Sequence, residues 1–380
     1  MAEPQESLEF DDGLEEATDD DVTIVNPFNP AEVEVDVRSP TIDLLMKRLQ
    51  QGGELQLQPD FQRNIVWSLR AKSRLIESIL VRIPLPAFYV DGTDEHRWIV
   101  VDGLQRLSAI KEFAVDKTMR LFDLEFLPQY NECRFDDLPR DLRRRFEETQ
   151  VTVHVIKPGT PENVKFIIFK RINTGGMPLS PQEIRHALNQ GPVTSLLKEL
   201  ALNQTFRQAT GGIREDRMND REYVLRFCAF YLEPEPLAVP ADFNFDTFLI
   251  AAMKRINGMD DAGRMRLRAA FETAMMLATG IFDGFAFRKW APYDLRKRPL
   301  NKALFESWAV ALAKLDPINS RLLVARKDAV VRKSRELLQT PEFDRAITQG
   351  TSQPSRVEYR FEKVARIIAE VLNDPVTDTP

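Results

Sequence analysis

Trp98-Ile99-Val100-Val101-Asp102-Gly103-Leu104-Gln105-Arg106-Leu107 is the stretch on which the reading of this chain turns. Its four leading apolar residues, bounded by Arg97 and by Asp102-Gly103, form the pattern of a short buried strand, and Leu107, Ile110 and Phe113 follow at helical spacing. A strand therefore passes through a glycine turn straight into a helix. Such a junction aims backbone N–H groups at one point, and a helix start carries unpaired donors and a partial positive charge that suit a phosphate. Arg106 in the first turn adds a fixed cation with several donors. Asp102 beside a phosphate repels it unless Mg2+ stands between them. The same residues also read as a capping box, with Asp102 capping, Gln105 reciprocating and Arg106 in solvent. Spacing alone leaves both readings open.

Working outward, residues 87–90 (AFYV) and the alternating 151–156 (VTVHVI) predict further strands, and 41–49 and 69–80 predict helices. Pro161 opens another helix that Gly175-Gly176 ends, and Ser180-Pro181-Gln182-Glu183 supplies an N-cap, a proline at the first helical position and a capping-box acid. Beyond about residue 195 helical periods dominate, over 219–232, 245–256, 262–279, 302–314, 319–338 and 356–373. The expected class is α+β, in three parts: an acidic, disordered tail over 1–37, a mixed domain over 38–192 and a mostly α-helical domain over 193–380.

The 380 residues carry a formal charge of −6, but residues 1–37 hold 13 acids and no Lys or Arg, which leaves 45 acids against 52 bases in the body. An acidic segment is thus joined to a basic protein, and the body's sign is the one that bears on polyanions. Deleting 1–37 is expected to strengthen DNA or nucleotide binding at low salt. Cys133 and Cys228 lack metal-ligand spacing, and His96, His154 and His186 form no paired motif, so a zinc site or histidine-metal nuclease is not expected. No run approaches ~18 apolar residues and no signal peptide is visible, which predicts a cytoplasmic protein that neither spans a membrane nor is secreted.

Gln58-Pro59-Asp60-Phe61-Gln62-Arg63, Val66-Trp67, Ile83-Pro84-Leu85-Pro86, the Asp102-Gly103-Leu104-Gln105-Arg106 turn and, later, Phe169-Lys170-Arg171-Ile172-Asn173-Thr174-Gly175-Gly176 with Leu179-Ser180 follow one another in a telling order. Together they resemble the N-terminal domain family of GmrSD-type restriction endonucleases, over about 45–190. The resemblance implies a ParB/sulfiredoxin-like fold, nucleoside triphosphate binding and Mg2+-dependent hydrolysis, within defence against foreign DNA. It implies Asp102, Gln105, Arg106 and Gln62 as catalytic residues, with Arg63, Gly103, Asn173 and Arg185 binding nucleotide and Asp102 holding Mg2+. The family often has Gln where this chain has Leu104, which is harmless if that side chain packs inward. Larger relatives cut with a separate HNH-like domain that needs histidines; beyond His186 this chain has none, so a nuclease or methyltransferase encoded nearby is an expected partner, and self-association is possible.

Basic clusters recur across the chain, Arg140-Arg143-Arg144-Arg145 first among them, mostly with acids at helical spacing. Arg356, Arg360 and Lys363 fall on one helical face after a polar loop, an arrangement suited to a DNA backbone. Two alternatives stand beside the hydrolase: a nucleotide-gated DNA- or partner-binding switch with little turnover, and a DNA nickase or nuclease.

Overall fold

The computed structural model describes residues 33–50, 53–57, 67–94, 96–172, 179–213, 216–234, 237–290 and 297–374. Two compact units emerge, one comprising Pro27–Gln190 with Asp216–Met218, the other comprising Gly191–Glu215 and Asn219–Pro380.

The N-terminal unit is α+β. Its five strands are β1 (Val35–Arg38), β2 (Leu55–Gln56), β3 (Phe88–Asp94), β4 (Arg97–Asp102) and β5 (Val153–Ile156), arranged β1-β5-β3-β4-β2. β3 and β4 form an antiparallel hairpin, β5 runs parallel to β3, and β1 lies antiparallel to β5 at the edge. Alternation sorts the strand residues between the two faces. Phe88, Val90, Trp98, Val100, Val153 and Val155 enter the main core with α1 (Ile42–Gln50), α2 (Leu69–Leu80), α3 (Leu104–Ile110) and α4 (Arg140–Glu148). Phe113, Phe135 and Phe146 meet edge to face at its centre. On the other face lies α5 (Glu162–Ile172), whose buried Lys165 reaches Asp91 of β3 at 3.2 Å, and α6 (Pro181–Leu188) follows it in contact. The helix start at Ser180 is as the sequence predicts: its Oγ accepts from Glu183 N–H, and the Glu183 carboxylate accepts from Ser180 N–H.

Residues 35–38 correct the reading of 1–37 as a tail. Val33, Val35 and Val37 alternate with Glu34, Asp36 and Arg38, a strand pattern that the acid count conceals, and the backbone pairs with β5 from Val35↔Ile156 to Arg38↔Val153. Residues 1–32 lie outside the described part.

The second unit contains ten helices among its described residues: α7 (Pro192–Leu202), α8 (Gln204–Thr210), α9 (Asn219–Tyr231), α10 (Phe245–Asn257), α11 (Asp261–Phe282), α12 (Lys302–Ala313), α13 (Pro317–Ala325), α14 (Lys327–Leu338), α15 (Pro341–Thr348) and α16 (Pro354–Asn373). The segment expected as one helix over 319–338 is broken at Arg326, whose guanidinium turns to the Val371 and Leu372 carbonyls of α16. An apolar core built on Phe206, Tyr223, Phe227, Phe271 and Phe305 surrounds an unusual inclusion of buried charge. Arg226 bridges Glu222 at 2.9 Å and Glu306 at 3.2 Å; Lys302 meets Glu222 at 3.0 Å. Glu306 also pairs with Arg360, which donates to the Thr351 carbonyl at 2.7 Å.

That network corrects the proposed DNA-binding face. Arg360 has no solvent exposure and neutralises a carboxylate that would otherwise be buried alone. Arg356 donates to the Gln349 carbonyl, and Lys363 lies 4.9 Å from the Tyr359 ring. The three residues share a helical face, but that face points partly into the core.

Candidate functional site

The site forms where β4 ends. Gly103 occupies the N-cap position of α3 with φ 94° and ψ 10°, a left-handed conformation that glycine adopts without strain. A Cβ there would lie 2.3 Å from Cδ1 of Phe88, so glycine is also required by packing. The helical run continues past Ile110 through a wider π turn to Val115. The capping-box alternative is not realised, since Gly103 caps the helix with no side-chain bond.

Asp102 and Arg106 form the charged centre. Nη2 of Arg106 donates to Oδ2 of Asp102 at 3.0 Å and to the Ala87 carbonyl at 3.1 Å, while Nη1 donates to the Pro86 carbonyl. The guanidinium sits 4.6 Å from the centre of the Phe88 ring. Its planar fork therefore ties the loop before β3 to the first turn of α3. This corrects the picture of Arg106 as a cation presented directly to phosphate: it is buried, and both of its terminal nitrogens donate to the protein, because carbonyls about twenty residues upstream are folded against it. Burial pushes the Asp102 carboxyl above the ordinary carboxylate range, against the pull of Arg106 and of the Gly103 N–H. Burial lowers Arg106 in turn, with Asp102 opposing, and the guanidinium stays charged throughout. An ionised carboxylate held in a poorly solvated place is the condition in which charge partners matter most.

The neighbours are set by both local and distant sequence. Gln105 accepts the Trp67 N–H at 3.3 Å through Oε1, so it ties the turn to the residue that follows the Gln62-Arg63 motif. Leu104 packs against Ala187 and Met218, an apolar surrounding in which leucine is at home. Arg185 is buried on α6, its Nε donating to Gln182 Oε1 at 3.0 Å and its guanidinium 5.6 Å from the Phe166 ring. Gln62, Arg63 and Asn173 lie outside the described residues.

Two residues of this region escape the sequence reading. Tyr89 pairs with Asp102 across β3 and β4 and with His154 across β3 and β5, and the two rings stack with centroids 4.7 Å apart at 11°. The signal for them was the alternation in 87–90 and 151–156, which puts them on the face opposite the main core.

A metal held by protein ligands alone finds no place among the described residues, which contain no group of three His, Cys, Asp or Glu side chains able to hold one. Asp102 contributes a single carboxylate, the share that proteins commonly give to a Mg2+ carried by phosphates. Among the described residues no helix is long and apolar enough to cross a membrane.

Fold and turn together define an α+β domain with a half-buried Asp102 paired to a buried Arg106 at a strand–glycine–helix junction. Residues 43–189 match the family model described as the GmrSD restriction endonuclease, N-terminal domain. The match over these residues suggests a restriction-like defence system. No curated protein matches it.

Proposed function

We propose that the N-terminal unit binds a nucleoside triphosphate at the Asp102–Arg106 turn and hydrolyses it, within a restriction-like defence against foreign DNA. The observation that carries this reading is the turn itself, a glycine-dependent junction beside a half-buried carboxylate inside the span that matches the restriction-endonuclease family. Hydrolysis of a phosphoanhydride asks for charge neutralisation and alignment more than for a covalent nucleophile. In this reading the amides at the start of α3 receive phosphate oxygens. Arg106 acts as a positioning residue that fixes Asp102 and the loop before β3. Asp102 would be the single protein ligand of a Mg2+ that arrives with the nucleotide, and Gln105 in the same turn would orient water. DNA, a nuclease or methyltransferase encoded nearby and further copies of the chain are the partners this function would use.

A second reading, a nucleotide-gated switch with little turnover, is favoured by one observation: Arg106 is committed to Asp102 and to two carbonyls, so no mobile arginine is at hand among the described residues of the turn to follow charge in a transition state. Binding of ATP, GTP, CTP and UTP with Mg2+, and release of phosphate, are measured for the wild type, Asp102→Asn and Arg106→Lys. The hydrolase reading expects binding and turnover in the wild type, with turnover reduced at least ~100-fold in Asp102→Asn. Binding without turnover selects the switch, and absence of binding by all four nucleotides rejects both.

A further inference from the structure

The paired register of the central strands places four side chains in one row. Asp102 on β4 lies opposite Tyr89 on β3, Tyr89 beside His154 on β5, and His154 opposite Val37 on β1. Directly paired residues project to the same face of a sheet, and neighbouring strands lie about 4.8 Å apart, so the row runs roughly 10 Å from Asp102 to His154. The ring stacking of Tyr89 on His154 shows that these two share a face, and Asp102 joins the row at the register shift between Tyr89 and Val90 in the β3–β4 pairing.

The row changes character along its length. At one end stand the half-buried Asp102 and its arginine; in the middle are two half-buried rings; at the far end Val37 is 59% exposed. Neither ring belongs to the main core, whose strand residues are their sequence neighbours Phe88, Val90, Val153 and Val155. The His154 ring stacks on Tyr89. A stacked, half-buried aromatic pair with a hydroxyl and ring nitrogens, in line with a charged centre, offers an apolar surface with polar edges.

We infer that Tyr89 and His154 are the nucleoside-contacting residues of the site: with phosphates at the Asp102–Gly103 turn, the nucleotide lies across β4, β3 and β5 and sets its sugar and base on the stacked rings. This rests on the nucleotide-binding reading of the turn, and it adds the direction in which the ligand lies. The span from Asp102 to His154 is comparable to the reach from the phosphates to the base of an extended nucleotide. A base resting on aromatic side chains is held through its π face, which tolerates any of the four bases. Preference among them would then come from the polar edges of Tyr89 and His154.

Inorganic triphosphate separates the two ends of the row, because it has the phosphates and lacks the nucleoside. Dissociation constants for ATP, GTP, CTP and UTP and for inorganic triphosphate, all with Mg2+, are compared for the full chain, Tyr89→Ala, His154→Ala and the conservative pair Tyr89→Phe and His154→Gln. The inference expects the alanine variants to bind the preferred nucleotide roughly tenfold or more weakly, as loss of base stacking does, with triphosphate affinity kept within about twofold, a span of less than half a kcal/mol. Retained triphosphate binding also reports that the turn is folded. Equal loss of both ligands, extending to the conservative variants, means the rings only support the sheet and overturns the inference; so does unchanged nucleotide affinity. A wild type that binds triphosphate and nucleotide equally well also overturns it while leaving the phosphate site intact. A wild type that binds neither rejects the nucleotide reading on which it rests.

Discussion

Replacing Gly103 by alanine isolates what the turn demands. The residue sits at φ 94°, and its new methyl group would be placed 2.3 Å from Cδ1 and 2.9 Å from Cε1 of Phe88, which is 1% exposed and packed in the main core. The left-handed backbone costs an L-residue about 1–2 kcal/mol, and forcing extra volume into a filled core costs about 1–3 kcal/mol more. The variant is therefore expected to lose about 2–5 kcal/mol. Gly159 is the control: its φ is 102°, yet nothing lies within 4 Å of the position of its Cβ, so Gly159→Ala carries only the backbone cost, about 1–2 kcal/mol. Hydrogen exchange of peptides covering β3 and β4, read by mass spectrometry against urea, reports the N-terminal unit separately from the helical one. Gly103→Ala should shift the unfolding midpoint clearly further than Gly159→Ala. Equal shifts would show that Phe88 yields at no cost, and the argument that packing as well as conformation requires glycine would fail.

Arg360→Ala should destabilise the helical unit by about 3 kcal/mol, since it leaves Glu306 buried with Arg226 alone; an unchanged urea midpoint accompanied by weaker retention on DNA would restore the surface role. Asp102 has a folded pKa above its unfolded one, so folding is favoured by its protonation, and that contribution is complete below the unfolded pKa and fades as pH rises through the folded one. Asp102→Asn should accordingly become less destabilising, relative to the wild type, from pH 4 to pH 7 in urea unfolding; the opposite slope refutes the burial-dominated account. Burial pushes the Cys228 thiol far up, whereas Cys133 is partly exposed. A thiol-disulfide reagent should titrate one thiol in the native protein and two after denaturation, and prompt native reaction at both would contradict the burial of α9.

Local rules carried much of the fold into view. The strand–glycine–helix junction, the Ser180 capping box and the strands around 88–90 and 153–156 depend on residues within a few positions of one another, so their patterns survive in the bare sequence. Where the reading failed, a distant partner or a competing signal had intervened. Arg106 looked available because its acceptors, the Pro86 and Ala87 carbonyls, come from the chain before β3. Arg360 shares a helical face with Arg356 and Lys363, but Glu306, 54 residues earlier, turns that position inward. In α4 the arginines of 140–145 drew attention from Leu142 and Phe146, whose spacing of four marks the buried side of a helix. Tyr89 and His154 sit 65 positions apart, and only the parallel register of β3 and β5 brings their rings together.

The edge strand β1 bears on how the acidic N-terminal region can be studied. Cutting the chain after residue 37 removes the acids, and it also strips β5 of its antiparallel neighbour, leaving a row of backbone donors and acceptors open to pairing with another chain. Such a fragment would mix a change of charge with a tendency to join sheets between molecules. A deletion ending at residue 32 keeps Val35–Arg38 paired with β5 and the edge as it is in the full chain, so any gain in polyanion affinity could be credited to charge alone.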